Sequence, residues 1–265
     1  MEKITSEVTS KDGTTIVFDQ RGSGPAVILV DGALCYRSFG PMEALAEKLA
    51  PHFLVINYDR RGRGESSNSE PYRVEREVED IDALIQEAGG NACLYGISSG
   101  GCLALEAAIK LGNKIDKLAV YEPPYANDKT AISVWKTYTD QLNKSIDEGR
   151  RGDAVVLFMQ LVRNPPDQIA GMQQSPVWPM FEAVAPTLAY DAAAMGKDRT
   201  VPANRVAKIH CPTLVMNGTL TPLVPEADAE LAKAIPHAQH RILEGQPHDV
   251  NLDILTSVLT PFFTL

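Results

Sequence analysis

Short apolar runs rich in β-branched residues alternate along this chain with segments of helical periodicity, and this alternation constrains the fold more than any other feature. The runs predict strands at 14–20, 26–32, 53–59, 92–98, 117–123, 213–218 and 240–245, and helices are predicted at 41–50, 72–87, 99–111, 226–234 and 250–260. Apolar strands joined by helices are typical of a parallel sheet covered on both faces. The sequence therefore predicts a doubly wound, mostly parallel α/β fold with an antiparallel pair at its N-terminal edge.

A long interval with a different pattern follows the strand that ends near Glu122. Residues 126–207 have mostly helical periodicity, interrupted by proline-containing stretches such as NPPD and SPVWP. One crossover helix would be enough to join two parallel strands, so this interval is predicted to be an insertion. We expect an α/β core formed by residues 1–125 and 208–265, and a helical cap, or lid, formed by residues 126–207.

Charge and composition argue against several classes of function. Lysine and arginine total 25 against 34 aspartate and glutamate residues, giving a formal net charge of -9 that repels nucleic acid and anionic lipid. The polar N-terminal sequence has no apolar signal-peptide core, and no apolar run is long enough to span a membrane. We therefore expect a cytoplasmic protein that binds neither nucleic acid nor membrane, and we leave a homo-oligomer open.

The four cysteines are widely spaced in the sequence. Cys35, Cys93, Cys102 and Cys211 form no CxxC pair and no cluster with histidine at the spacing of zinc ligands. Free thiols in or near the core are the expected state of such cysteines. The sequence predicts no disulfide framework, no metal site and no cofactor.

A serine flanked by glycines follows the strand predicted at 92–98 and directly precedes a helix. The stretch Gly96-Ile97-Ser98-Ser99-Gly100 has the G-x-S-x-G form, which is specific only in this context of strand, turn and helix. A sharp turn would expose Ser98, and the helix behind it would direct free N–H groups at a developing anion. We predict that Ser98 is a nucleophile; the alternative is a glycine-rich turn with an inert serine.

Two backbone N–H groups are predicted to stabilise the oxyanion that attack by Ser98 would form. One belongs to Ser99. The other is expected in the loop after the strand at 26–32, where Gly32 permits a tight turn beside the substrate; Ala33 is the first choice and Leu34 the alternative. Asp31 places a carboxylate where it would oppose an oxyanion, so we expect its side chain to be held within the loop or directed away.

The position of each histidine relative to the predicted strands separates the candidates for a general base. His52, His210, His237 and His240 precede or begin strands, whereas His248 follows the last one. Active sites of open parallel sheets lie at the carboxyl ends of the strands. His248 is therefore predicted to be the base that pairs with the nucleophile.

Two further stretches, together with Ser98 and His248, make the chain resemble the α/β-hydrolase superfamily over nearly its whole length. YDRRGRGESS at 58–67 is similar to the Asp-x-Arg-Gly-x-Gly-x-Ser turn of that family, and PTLVMNG at 212–218 is similar to its penultimate strand. In the family this strand is usually followed by Gly-x-x-Asp, and the aspartate holds the histidine. The same offset lands here on Thr221, which has no charge to stabilise an imidazolium.

The acid that holds His248 must then come from elsewhere. Glu122 ends the strand predicted beside the one that carries Ser98, and its longer side chain compensates for a position one strand closer to the nucleophile. Other candidates are weaker. Asn217 is uncharged, Glu226 and Asp228 are expected at the start of a helix, and Asp249 directly follows the histidine. We predict Glu122 as the acid. The alternatives are an undetermined or absent acid, Thr221 or another residue in this role, and a capping role for Glu122.

The chain resembles one subgroup of this superfamily more narrowly, the zearalenone-type lactone hydrolases. These proteins take their acid from a glutamate at the end of the inner strand, which implies that role for Glu122. Their Asp-Gly, Ser-Ser and Thr-Pro pairs are matched here by Asp31-Gly32, Ser98-Ser99 and Thr221-Pro222. In the cap, PVW at 176–178 is similar to their pocket tryptophan segment, which implies a substrate contact for Trp178.

These features predict a serine hydrolase that cleaves a hydrophobic carboxylic ester or lactone through an acyl-enzyme intermediate. The cap supplies apolar and aromatic side chains to contact such a small-molecule substrate, and Thr221 would form part of the pocket wall. The cap residues concerned are Trp135, Trp178, Met180, Phe181 and Tyr190. A cofactor-free perhydrolase or C–C bond hydrolase using the same residues, and a non-catalytic ligand receptor with this fold, are the alternatives.

Overall fold

A computed structural model of the chain describes residues 2–221 and 225–264. Eight strands within these ranges form one sheet, namely β1 (Lys3–Thr9), β2 (Thr15–Arg21), β3 (Ala26–Val30), β4 (Leu54–Tyr58), β5 (Ala92–Ile97), β6 (Ile115–Tyr121), β7 (Thr213–Gly218) and β8 (Gln239–Leu243). Their spatial order is β1-β2-β4-β3-β5-β6-β7-β8. β1 pairs with β2, and β2 with β4, in antiparallel fashion, whereas all other neighbours in the sheet are parallel.

The predicted fold class is confirmed, with one strand added to those expected. β1 is absent from the predicted strands because its side chains are mostly exposed and its sequence lacks a clear apolar face; Ile4, for example, is 50% exposed. Pairing with β2 along the full length of β1 supplies the backbone hydrogen bonds that its own sequence pattern does not signal.

Helices flank the sheet on both faces. They are α1 (Met42–Leu49), α2 (Val74–Glu87), α3 (Ser99–Leu111), α4 (Lys129–Asp147), α5 (Arg151–Leu161), α6 (Pro166–Gln173), α7 (Trp178–Val184), α8 (Leu188–Met195), α9 (Ala203–Val206), α10 (Pro225–Ala234) and α11 (Leu252–Thr264). Within the described ranges, no helix is both long and apolar enough to cross a membrane.

The apolar strands divide their side chains between two core layers. In β3, Val27 and Leu29 pack in the layer that contains α1 and α11, whereas Ile28 and Val30 pack in the layer that contains α2, α3 and α10. Successive side chains of a strand point to opposite faces, so a strand covered on both sides must be apolar at every position. This requirement explains the uninterrupted apolar sequence AVILV.

The interval predicted as a cap, 126–207, contains the helices α4 to α9. Trp135 of α4, Val155 of α5 and Leu188 of α8 are buried in the same apolar layer as Leu103 of α3. These helices therefore pack against the side of the sheet that carries α3. The division of the chain into core and cap stays a prediction.

Candidate active site

Ser98 occupies a sharp turn between β5 and α3. Its backbone has φ 56° and ψ -130°, a conformation that is strained for a residue with a side chain. A Cβ atom at Gly96 would lie 2.5 Å from the carbonyl oxygen of Gly100, and one at Gly100 would lie 2.3 Å from that of Val30. Both glycines are therefore required by close backbone contacts around the turn, as the G-x-S-x-G pattern indicates.

The same turn is tied to the neighbouring strand. The backbone N–H of Ser98 donates a hydrogen bond of 2.9 Å to the carbonyl oxygen of Tyr121, the last residue of β6. The next residue in the chain is Glu122. Ser98 and Glu122 thus leave the sheet side by side, at the carboxyl ends of two paired parallel strands.

Glu122 contacts His248 directly. The carboxylate atom Oε2 lies 2.5 Å from His248 Nδ1, and Oε1 accepts a hydrogen bond of 2.8 Å from the backbone N–H of Gly218. The Glu122 backbone N–H donates to the carbonyl oxygen of Met216 at 2.9 Å, and the residue has a positive φ of 48°. A buried carboxylate fixed at both oxygens can orient the imidazole and stabilise its protonated form.

His248 lies in the loop that follows β8, where the order of the strands predicts a base. A Cβ atom at Gly218 would lie 2.0 Å from the carbonyl oxygen of Gln246, so glycine is required for this loop to approach β7. The hydroxyl of Tyr121 donates to the carbonyl oxygen of Pro247 at 2.7 Å. The loop is therefore fixed on both sides of the histidine, whose side chain is 42% exposed.

Thr221, at the position where the resemblance to α/β-hydrolases predicts an acid, is uncharged and forms no hydrogen bond with His248. The Oγ1 atom of Thr221 is buried and has no hydrogen-bond partner in the described part of the chain. The side-chain oxygen of Asn217 lies 2.8 Å from Nε2 of His240, on a different histidine. Pro222, the second residue of the Thr-Pro pair, lies outside the described residues.

The loop after β3 approaches the serine closely. A Cβ atom at Gly32 would lie 3.3 Å from the Cβ of Ser98, which leaves room for a substrate carbonyl only because Gly32 has no side chain. Ala33 and Ser99 line the same cavity as Ser98. Leu34 has φ 61° and a buried side chain outside the cavity lining. Ser99 begins α3, so its N–H has no acceptor in a preceding helical turn.

Asp31 is held within its own loop, as the sequence suggests. Its Oδ1 atom accepts a hydrogen bond of 2.8 Å from the backbone N–H of Gly32, and the side chain is buried. Burial raises the pKa of Asp31 to about 7, against the opposing effects of this hydrogen bond and of the Arg63 and Arg60 charges. A substantial fraction of this carboxyl is therefore neutral near pH 7, which reduces its repulsion of an oxyanion.

Beneath the serine, a buried ion-pair cluster joins the core to α8. Asp191 of α8 accepts hydrogen bonds from Arg60 at 2.6 Å, from Arg63 at 2.7 Å and from the Ser99 hydroxyl at 2.8 Å. Burial by itself would raise the pKa of Asp191, but the charges of Arg63 and Arg60 outweigh it, and the pKa is lowered. The arginines of the RRGR stretch thus fix α8 behind the start of α3.

Ser98, Glu122 and His248 line one cavity of about 530 Å³. Its core side includes Ser98, His248, Glu122, Gly32 and Thr221. The side formed by the predicted cap interval is lined by Phe158, Leu161, Val162, Asn164, Met195 and Arg199. The lining is mostly apolar, with a few polar groups that include Ser98, His248 and Arg199, as expected for a small-molecule site.

The five aromatic and apolar cap residues predicted to contact substrate lie outside this cavity. Trp135 is buried and donates from Nε1 to the carbonyl oxygen of Gly196 at 3.0 Å. Tyr190 stacks on Tyr72, with ring centroids 3.7 Å apart. The other three are on α7, where Trp178 and Phe181 contact each other edge to face; they are Trp178, Met180 and Phe181. These side chains therefore pack within the cap interval or against the core, as Tyr190 does on Tyr72, and do not line the cavity.

Sequence reasoning missed the side chains that form this wall. Phe158, Leu161 and Val162 lie at the end of α5, whose sequence VVLFMQL is apolar on several faces, so periodicity does not show which face meets the cavity. Arg199 lies in a short loop without periodicity. In the described residues, no group of three or more histidine, cysteine, aspartate or glutamate side chains is arranged to hold a metal ion.

The fold and the site define a protein class that comparisons with known proteins identify. The chain belongs to the alpha/beta hydrolase family, whose model matches residues 14–253. An alpha/beta hydrolase structure from Sphaerobacter thermophilus is similar, with 51% identity, a TM-score of 0.88 and coverage of 97% of this chain and 100% of that one.

Two more distant matches are a structure of an enzyme with a named activity and an uncharacterised protein. The structure of an enol-lactonase from Burkholderia xenovorans is 22% identical with a TM-score of 0.72, covering 98% of this chain and 100% of the other, a likeness that shows the fold. The uncharacterised hydrolase YraK of Bacillus subtilis is 31% identical over 115 residues. That match spans only 42% of the length of either protein.

Proposed function

We propose that this chain is a serine hydrolase that cleaves a carboxylic ester or lactone of a hydrophobic small molecule, using Ser98, His248 and Glu122. The observation that carries the proposal is the contact of 2.5 Å between Glu122 Oε2 and His248 Nδ1, in the same cavity that Ser98 lines. With Nδ1 engaged by the carboxylate, Nε2 is the nitrogen left to accept a proton from the serine.

In the first half of the reaction, His248 takes the proton of Ser98 Oγ as the oxygen attacks the substrate carbonyl carbon. The carbonyl oxygen becomes an oxyanion, which the backbone N–H groups of Ala33 and Ser99 stabilise. The start of α3 adds the positive end of its helix dipole. Collapse of the tetrahedral intermediate breaks the bond to the alkoxide leaving group, and His248 returns the proton to that oxygen.

In the second half, water replaces the leaving group. His248 takes one proton from the water as its oxygen attacks the acyl-enzyme carbonyl, and the same proton returns to Ser98 Oγ when the acyl bond breaks. A lactone reacts by the same steps, but its alkoxide stays attached to the acyl chain, so the product is a hydroxy acid. Glu122 keeps its charge throughout and balances the imidazolium of His248.

The cavity supports a hydrophobic carbonyl substrate. Apart from the polar groups around Ser98, much of its lining is aliphatic or aromatic, as with Ile97, Phe158 and Met195. The enol-lactonase named among the similar structures is consistent with lactone chemistry. In this proposal the helices of 126–207 act as a cap over the acyl group.

Labelling with a fluorophosphonate tests the nucleophile. The wild-type protein should react at Ser98, and Ser98→Ala should not; mass spectrometry of the labelled peptide locates the site. Absence of labelling in the folded wild-type protein, under conditions that label a control hydrolase, would show that Ser98 is not an activated nucleophile.

Hydrolysis of p-nitrophenyl butyrate tests the acid. Glu122→Gln removes the charge beside His248 and should lower kcat by on the order of 10³ to 10⁴, the effect of losing the carboxylate from a triad. Glu226→Gln is a matched control on an exposed glutamate at the start of α10 and should retain the wild-type rate. A near-normal rate for Glu122→Gln would assign the acid role elsewhere.

A further inference from the structure

Arg199, which is partly buried, differs from the fully buried arginines in having no carboxylate partner among the described residues. Arg37, Arg60, Arg61 and Arg63 are each bonded to at least one aspartate or glutamate. The guanidinium of Arg199 has no hydrogen bond or ion pair with any residue that the structure describes, although its Nε atom is buried. Burial lowers the pKa of Arg199 from its ordinary value, because desolvation of the charge outweighs the opposing effects of Cys102 and Asp128.

The side chain of Arg199 is nevertheless held in a defined place. Its guanidinium carbon lies 5.4 Å from the ring centroid of Trp135, in a cation–π contact. The backbone carbonyl of Arg199 accepts from the N–H of Ala126 at 2.8 Å, its own N–H donates to Gly196 at 3.3 Å, and its φ is positive at 56°. The Arg199 backbone is strained and held by two hydrogen bonds, and its side chain stacks on Trp135. Arg199 is therefore fixed in position before any ligand binds.

Arg199 lines the same cavity as Ser98, and none of the carboxylates that line this cavity forms an ion pair with it in the described part of the chain. Glu122 is engaged by His248 and Gly218. Asp31 has a pKa raised to about 7 by burial, and Asp249 is exposed to solvent at the rim. Outside the lining, Cys102 and Asp128 raise the pKa of Arg199, and Arg163 lowers it.

We propose that Arg199 binds a carboxylate of the substrate, so that the natural substrate is an ester or lactone bearing a free carboxylate away from the bond that is cleaved. This inference rests on the proposed function and names the substrate class of the same site. The planar guanidinium presents two parallel N–H donors that match a carboxylate, and the apolar wall formed by Phe158, Leu161 and Met195 accommodates the chain between the two ends.

The geometry also gives Trp135 a role that the sequence did not indicate. Trp135 lies outside the cavity, but its ring covers one face of the Arg199 guanidinium and its Nε1 donates to Gly196, at the start of the loop that carries the arginine. The tryptophan is therefore a positioning residue for the cation.

A pair of substrates that differ only in charge tests the proposal. Mono-p-nitrophenyl glutarate carries a free carboxylate, and p-nitrophenyl methyl glutarate carries a neutral ester in its place. The wild-type protein should prefer the charged substrate in kcat/KM. Arg199→Met should reduce the ratio of the two kcat/KM values at least tenfold, which corresponds to about 1.4 kcal/mol, mainly through KM for the charged substrate.

Two further variants sharpen this test. Arg199→Lys keeps the charge but not the paired donors, and should give an intermediate ratio. Arg151→Met removes an exposed cation outside the cavity lining and should keep the wild-type ratio. Equal ratios in the wild-type protein and Arg199→Met would overturn the proposal.

A binding measurement separates this proposal from the hydrolase reaction itself. Glutarate should bind the Ser98→Ala protein, detected by isothermal titration calorimetry, and binding should weaken at least tenfold in Ser98→Ala/Arg199→Met. If glutarate binds both proteins equally, Arg199 is not the carboxylate site. If no ester is hydrolysed by the wild-type protein while glutarate binding depends on Arg199, the proposed function fails and the anion site stands.

Discussion

Asp228 of α10 provides a pH test of the structure that does not depend on catalysis. Its side chain is 1% exposed, and neither carboxylate oxygen has a hydrogen-bond partner in the described residues. Burial, and to a lesser extent the charge of Glu122, raises the pKa of Asp228 to about 8. In the unfolded chain the same carboxyl ionises near its ordinary pKa of 3.8.

The sign and size of the effect follow from proton linkage. Between about pH 5 and 7 the folded protein binds one proton at Asp228 that the unfolded chain has released, so the free energy of unfolding falls as pH rises. The slope is about 1.4 kcal/mol per pH unit, or about 3 kcal/mol over this interval, and it levels off above the folded-state pKa. Asp228→Asn is neutral at every pH and should lack this contribution.

Urea denaturation of both proteins at pH 5, 6 and 7 measures the difference. The free energy of unfolding of Asp228→Asn, relative to that of the wild-type protein, should rise by about 3 kcal/mol from pH 5 to 7. The slope due to Asp31 is present in both proteins and cancels. Asp253→Asn, on a carboxylate whose side chain is 79% exposed, is the control. If the free energies of unfolding of Asp228→Asn and the wild-type protein changed in parallel with pH, the conclusion that Asp228 is buried without a partner would be refuted.

Two further predictions concern residues around the serine. In Gly218→Ala, the new Cβ would lie 2.0 Å from a backbone oxygen of the loop that carries His248. The kcat/KM for ester hydrolysis should fall on the order of 100-fold while the circular dichroism spectrum is retained, and an unchanged rate would contradict the geometry. In Asp191→Asn, Arg60 and Arg63 lose the buried carboxylate that they share. The free energy of unfolding measured in urea should fall by about 3 to 5 kcal/mol, and a loss below about 1 kcal/mol would argue against this buried ion-pair cluster.

The residues placed at strand ends were predictable from the sequence. The approach of Glu122 to His248 was expected because parallel strands end at one edge of a sheet, so order along the chain becomes proximity in space. The backbone hydrogen bond from Ser98 to Tyr121 makes that reasoning precise, since it fixes the two neighbouring strand ends relative to each other. The catalytic roles of these residues stay predictions until the variants are measured.

The helical interval was less predictable, for a physical reason. A short helix in a multi-helix layer has apolar residues on several sides, and its sequence does not say which side faces a cavity and which faces another helix. Trp135 and Tyr190 were assigned to the substrate by their chemistry, but they pack against Arg199 and Tyr72. Arg199 itself follows no periodic pattern, so its position in the cavity depends on tertiary structure alone.

The location of Glu122 directly after β6, on the strand next to the one that precedes Ser98, has a consequence for how this site could change. The segment 219–221 after β7, where related proteins keep their acid, supplies Leu220 and Thr221 to the cavity wall and no group to His248. Variation in this segment can therefore reshape the pocket while the hydrogen bonds that hold the proposed acid and base stay intact. In a protein-engineering library, this is the segment we would randomise first to alter substrate choice.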